Sequence, residues 1–287
     1  MLNSGTITLT GTTTGITTFT QTSAGTFNLA GFNTTLGALD GAGSVNLGSA
    51  RLTTGGLNLN TLFSGVIGGT GSLEKVGTGR FILTGANTYA GGTTITGGAL
   101  QIGNGGTTGS IVGPVVNNGM LIVNRSDAYT LAGNISGTGM FAQVGTGTTT
   151  LTGTNTYGGG TLITAGRLVG NTTALQGTIQ IDAPGVLEFN QMAAGTYAGT
   201  LLGTGRFDKT GAGLLTLTGN SATFTGPSFV IGGELRVNGD LRRSVVTVCS
   251  VSSGTATSVT VTPAEDCTKA LVERCSRTSR LYWNGTR

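Results

Sequence analysis

Short runs of alternating apolar and polar residues follow one another along the chain, each closed by a glycine-containing corner. Thr6-Ile7-Thr8-Leu9-Thr10 and Phe81-Ile82-Leu83-Thr84 are typical, and Gly-Gly, Asn-Gly or Thr-Gly recurs every 5 to 12 residues. A period of two, β-branched and aromatic residues and frequent turn signals predict many short β-strands. No helical period with caps stands before residue 263. Glycine, at 54 of 287 residues, breaks helices and long strands. It suits corners that need positive φ or close approach of two backbones. The glycines do not fall at every third position, which excludes collagen.

The pattern also recurs at long range. GVIGGTGSLEKVGTGRFILTGANTYAGG starts at Gly65, GNISGTGMFAQVGTGTTTLTGTNTYGGG at Gly133 and GTLLGTGRFDKTGAGLLTLTGNSATFTG at Gly199, so the starts lie 68 and 66 residues apart. Ile95, Ile163 and Val230 stand three residues before Gly98, Gly166 and Gly233, and Leu100, Leu168 and Leu235 two residues after. Recurrence of this kind signals a solenoid, in which each unit buries its apolar face only against its neighbours. About three strand-turn groups fit each long repeat, giving coils of roughly 22 residues and a long repeat of three coils. Roughly eleven coils before residue 245 would span on the order of 50 Å. Leu83, Leu151 and Leu217 join the two triplets above as the expected inward residues.

The units LTGANTYAGGTTITGGALQIG (Leu83 to Gly103) and LTGTNTYGGGTLITAGRLVG (Leu151 to Gly170), each preceded by paired GTG segments, resemble the autotransporter-associated β-strand repeat of type V secreted passengers. The resemblance covers roughly residues 37 to 244. It implies an all-β chain folded as a right-handed parallel β-helix (β-solenoid), at the cell surface, in the outer membrane or outside the cell, commonly as an adhesin. The expected partner is a host-surface protein or glycan. The parent would be anchored by an outer-membrane β-barrel absent from this chain. Met1-Leu2-Asn3-Ser4-Gly5 has neither a basic nor an apolar leader region, so no signal peptide or membrane segment is expected, and the chain is read as a passenger fragment.

Charge separates body from tail. Residues 1–241 hold eight basic and eight acidic residues; residues 242–287 hold seven and three. The neutral body offers no basic stripe for nucleic acid. Residues 245–287 carry only two glycines and all three cysteines, Cys249, Cys267 and Cys275, without metal-ligand spacing. The sequence thus divides into a repeat body, 1–244, and an irregular, non-repeat tail, 245–287, read as frameshifted or disordered.

With no histidine, Ser-His-Asp and Cys-His catalysis are impossible. No metal or cofactor is expected, and the chain is read as non-catalytic. The alternative, a polysaccharide-acting β-helix enzyme, would need converging carboxylates. Its candidates are Asp182, Glu188, Glu74 and Asp208. Glu74-Lys75 and Asp208-Lys209 stand where Ala142-Gln143 stands in the middle repeat, which reads as exposed ion-pair positions that drift. Asp182 and Glu188 read as turn and edge groups around Pro184-Gly185. Tyr89, Tyr157 and Phe224 recur at matching positions, either as a row of surface contacts or as rings closing each corner. Thr-x-Thr runs leave an ice-binding array as a further alternative, and a structural stalk as another.

Overall fold

The computed structural model describes residues 2–248 and, beyond them, the strands Ser258–Val261, Val272–Arg274 and Arg280–Trp283. Among the described residues there is no helix. Each strand pairs in parallel with those of the neighbouring coils, and about 12 turns build a β-solenoid. A coil has three strand positions and so three faces. Arg51–Thr54, Ser72–Lys75, Thr93–Ile95 and Val115–Asn117 stack on the first. Arg80–Leu83, Ala99–Ile102, Met120–Val123, Met140–Gln143 and Thr161–Ile163 stack on the second. Thr148–Leu151, Arg167–Gly170, Val186–Asn190, Arg206–Thr210 and Ser228–Val230 stack on the third.

The coil is shorter than the sequence suggests, and this changes the meaning of the long repeat. Met120 pairs with Met140, 20 residues on, and for the strands up to Val248 the offset ranges from 18 at Thr161–Ile179 to 22 at Thr93–Val115, rising to 24 at Glu234–Ser258 and 26 at Val246–Val272. Between Leu73 and its equivalent Phe141 lie ten strand positions: eight strands, from Ser72–Lys75 to Ile135–Ser136, and the corner segments at Ala86 and Ser110. The repeat is therefore three and a third coils, not three. Leu73 lies on the first face, Phe141 on the second and Phe207 on the third. Each repeat begins one face further round than the last.

Inward positions form continuous in-register rows. Phe81, Leu100, Leu121 and Phe141 are successive partners, as are Leu168, Leu187 and Phe207. All nine residues expected to point inward are buried, none more than 3% exposed. Each such side chain contributes about 1.5–3 kcal/mol by leaving water. Coils approach closely enough that some corners exclude any side chain: a Cβ on Gly133 would stand 1.8 Å from the Gly113 carbonyl oxygen, and one on Gly219 2.0 Å from that of Gly199.

The ladders continue past residue 244. Val246–Val248 pairs with Ser228–Val230 and, above it, with Val272–Arg274; Ser258–Val261 joins Glu234–Val237 to Arg280–Trp283. The three cysteines lie outside the described residues, as does the rest of 249–287 on which the expectation of a shifted frame bears.

Candidate functional site

After the first strand pair of each repeat, a corner segment takes the place of a third strand and interrupts a ladder. A buried amide repairs the gap. Asn87 accepts a hydrogen bond from the Ile67 N–H through Oδ1 (2.9 Å) and donates from Nδ2 to the Ser110 carbonyl (2.9 Å). Asn155 does the same between Ile135 N–H (2.8 Å) and the Ala174 carbonyl (2.7 Å). In the third repeat Ser221 accepts from Leu201 N–H through Oγ (2.9 Å). The two asparagines do not form a stacked ladder; each ties its corner to the coils on either side.

Two residues beyond each of those asparagines stand the recurring tyrosines, and the structure corrects their reading as surface contacts. Tyr89, Tyr157 and Phe224 are at most 1% exposed and close the corners from inside. The Tyr89 hydroxyl bonds the Thr93 hydroxyl at 2.7 Å and Tyr157 that of Thr161 at 2.8 Å. Where Phe224 has no hydroxyl, the equivalent Ser228 bonds Ser244 instead, at 2.6 Å. Burial raises the Tyr89 and Tyr157 pKa values above the ordinary phenol value. The rings also lie on three different sides, so they cannot make a row.

Lys75 and Lys209 require a second correction, because neither is solvent-facing. Both are fully buried. The Lys209 ammonium donates to the carbonyls of Thr210, Gly211 and Gly232 at 2.7, 2.8 and 2.9 Å, and Lys75 to those of Val76, Gly77 and Gly97 at 2.6, 3.1 and 3.3 Å. Gln143, between them in the repeat series, donates to Gly145 and Gly147 at 2.7 and 3.4 Å. The position needs a long donor to satisfy turn carbonyls at the strand end. Burial lowers the Lys75 pKa and pushes that of Lys209 down to about 8.

The four carboxylates considered for catalysis separate. Asp182 stands at its turn: Oδ1 accepts from Gln180 at 2.5 Å, and its carbonyl accepts from Gly185 N–H at 2.7 Å. Glu74 accepts from Thr53 (3.0 Å) and Thr96 (3.4 Å) and lies 3.4 Å from Arg51. Glu188 is no edge group, because it sits within Val186–Asn190 directly opposite Asp208. Both meet Arg167 Nη1, at 2.6 and 3.0 Å, and Asp208 also meets Arg206 Nε at 2.5 Å. Burial works to lower the Arg167 pKa, but the bonds to Asp208 and Glu188 leave it above its ordinary value. These two carboxylates do converge, but as parts of an ion ladder in which Asp208 is fully buried.

Among the described residues, no group of three or more potential ligands is placed to hold a metal ion, and no helix is long and apolar enough to cross a membrane. No solved structure matches the chain. The passenger-associated-transport-repeat family matches at residues 73–102, 141–169 and 207–237, the segments in which a strand pair, its corner and the pair of the next coil lie together. The chain belongs to the autotransporter passengers. Similarity to the adhesin BmaC autotransporter of Brucella suis biovar 1 (strain 1330) agrees: 36% identity over 277 residues, covering 72% of this chain. The passenger segment described here spans 8% of the length of that relative.

Proposed function

We propose that this passenger segment is a non-catalytic, adhesin-like rod at the cell surface or outside the cell, where it contacts host proteins or glycans. The observation that carries the reading is the similarity to an adhesin autotransporter over 72% of the chain. The chemistry of the body is in keeping with it. Asp208 is buried, and the outward carboxylates Glu74 and Glu188 are tied to arginine and threonine, so these three offer no carboxyl pair open to a glycosidic bond. The purified chain is expected to bind cultured host cells saturably and to release no reducing ends from polysaccharides. Absence of cell binding, or turnover of a glycan, would overturn the reading.

A further inference from the structure

Equivalent outward positions of successive repeats have diverged to opposite chemistry, whereas their inward neighbours have not. On the second face the outer positions around the junction of the first two repeats are Ala99, Ile122, Met140, Ala142 and Leu162. One repeat on, and one face round, the same positions are Arg167, Glu188, Arg206, Asp208 and Phe229. The inward equivalents Leu100 and Leu168, Leu121 and Leu187, Phe141 and Phe207 remain apolar and fully buried. The core accounts for the inward set, and nothing in the stacking demands the outward one.

The charged patch is rigid and has donors to spare. Buried Asp208 fixes both guanidinium groups, and Arg206 lies over the half-buried Phe229 ring at 4.2 Å from its centroid. The Arg206 and Arg167 side chains stay 40% and 31% exposed, and Glu188 17%. Arg206 bonds the described residues through Nε and Arg167 through Nη1, which leaves the Nη groups of Arg206 and the Nε and Nη2 of Arg167 as donors for an outside partner. A carboxylate has about four acceptor sites, and the Glu188 carboxylate uses only two, toward Arg167 and Thr210. Two arginines and two carboxylates cancel in charge. The patch thus combines fixed donors, fixed acceptors, a half-buried aromatic ring and no net charge. Groups held in place this way bind without losing side-chain freedom.

We propose that this face, centred on Arg167, Glu188, Arg206 and Phe229, recognises a neutral, hydroxyl-rich glycan. A sugar hydroxyl both donates and accepts, which matches the interleaved guanidinium and carboxylate groups. The C–H face of a sugar ring can make apolar contact with the part of Phe229 that stays exposed. An anionic chain would gain nothing from a patch whose charges cancel. This inference rests on the adhesive reading above and names its ligand class.

The test is binding of the full chain to a panel of neutral and acidic glycans at low and high salt. At least one neutral glycan should be retained, with affinity insensitive to salt. Arg206→Met and Phe229→Ala should each weaken it at least about tenfold. Leu162→Ala, at the position equivalent to Phe229 on the second face, should leave it unchanged. Glu188→Gln, nearly isosteric, provides a variant that keeps the fold if the arginine change does not, and should also weaken binding. A blank neutral panel, retention of acidic glycans alone that fades with salt, or wild-type binding by these three patch variants would show the ion ladder to be structural and overturn the inference. Host-cell binding with a blank panel leaves the adhesive reading standing without this patch, so the two fail separately.

Discussion

At the scale of the residue, the solenoid depends on a few buried polar side chains that do the work of missing backbone partners. Asn155 replaces two ladder bonds at a corner where the strand is lost. Asn155→Ala would leave the Ile135 N–H and the Ala174 carbonyl buried without partners, each costing about 1–3 kcal/mol. Denaturant unfolding of this variant should show a loss of about 2 kcal/mol or more. Lys209 makes a different kind of claim. In the unfolded chain it titrates near 10.5; in the fold, where it donates to three carbonyls, burial pushes it down to about 8. Its charge therefore costs stability fully below about pH 8, and the cost disappears as pH rises toward 10.5. Stability should rise across that window by at most about 3 kcal/mol, one pKa unit being about 1.4 kcal/mol. Lys209→Gln should lose the rise and be at least as stable as wild type at neutral pH, since Gln143 performs the same task one repeat earlier without a buried charge. Lys209→Ala should be the less stable of the two by about 2 kcal/mol or more, with its carbonyls unpaired. Unfolding curves measured from pH 7 to pH 10.5 check both.

At the scale of the element, the strands and their inward sides are legible from the sequence because alternation and recurrence both report burial. Ile95, Ile163 and Val230 keep their apolar character for a single reason, the dry interior, and the structure places all three there. Lys75 and Lys209 mislead because a charged side chain is normally a sign of solvent. The series Lys75, Gln143, Lys209 does hold the answer, since every member is a long donor and none is an acid; drift at an exposed position has no such bias. The corner aromatics are similar. Tyr89 and Tyr157 go with Thr93 and Thr161, whereas Phe224 goes with Ser228, a pairing that the sequence displays but that only a corner geometry explains. The ion ladder at Glu188 and Asp208 could not be read without register, because its members come from three strands of three coils.

At the scale of the whole molecule, the decisive quantity is the mismatch between a repeat of 66–68 residues and a coil of about 20. Thr88, Thr156 and Thr223 are equivalent, exposed and on three different sides. On a common face, spin labels on adjacent members of this set would lie about 16 Å apart along the axis, three and a third coils at about 4.8 Å each. Distances between labelled cysteine variants should exceed that value clearly in both adjacent pairs; values near it would mean that the repeats align. The mismatch has a genetic consequence as well. Deletion or duplication of one whole unit can still match strand to strand at the junction, because unit boundaries are equivalent in the core. The fold survives, yet everything beyond the junction is turned by a third of a circle about the rod. Only a change of three units restores the original heading. Copy number in this passenger is therefore an angular variable as well as a measure of reach, and a gain or loss of one unit re-aims any surface beyond it without altering a residue of that surface.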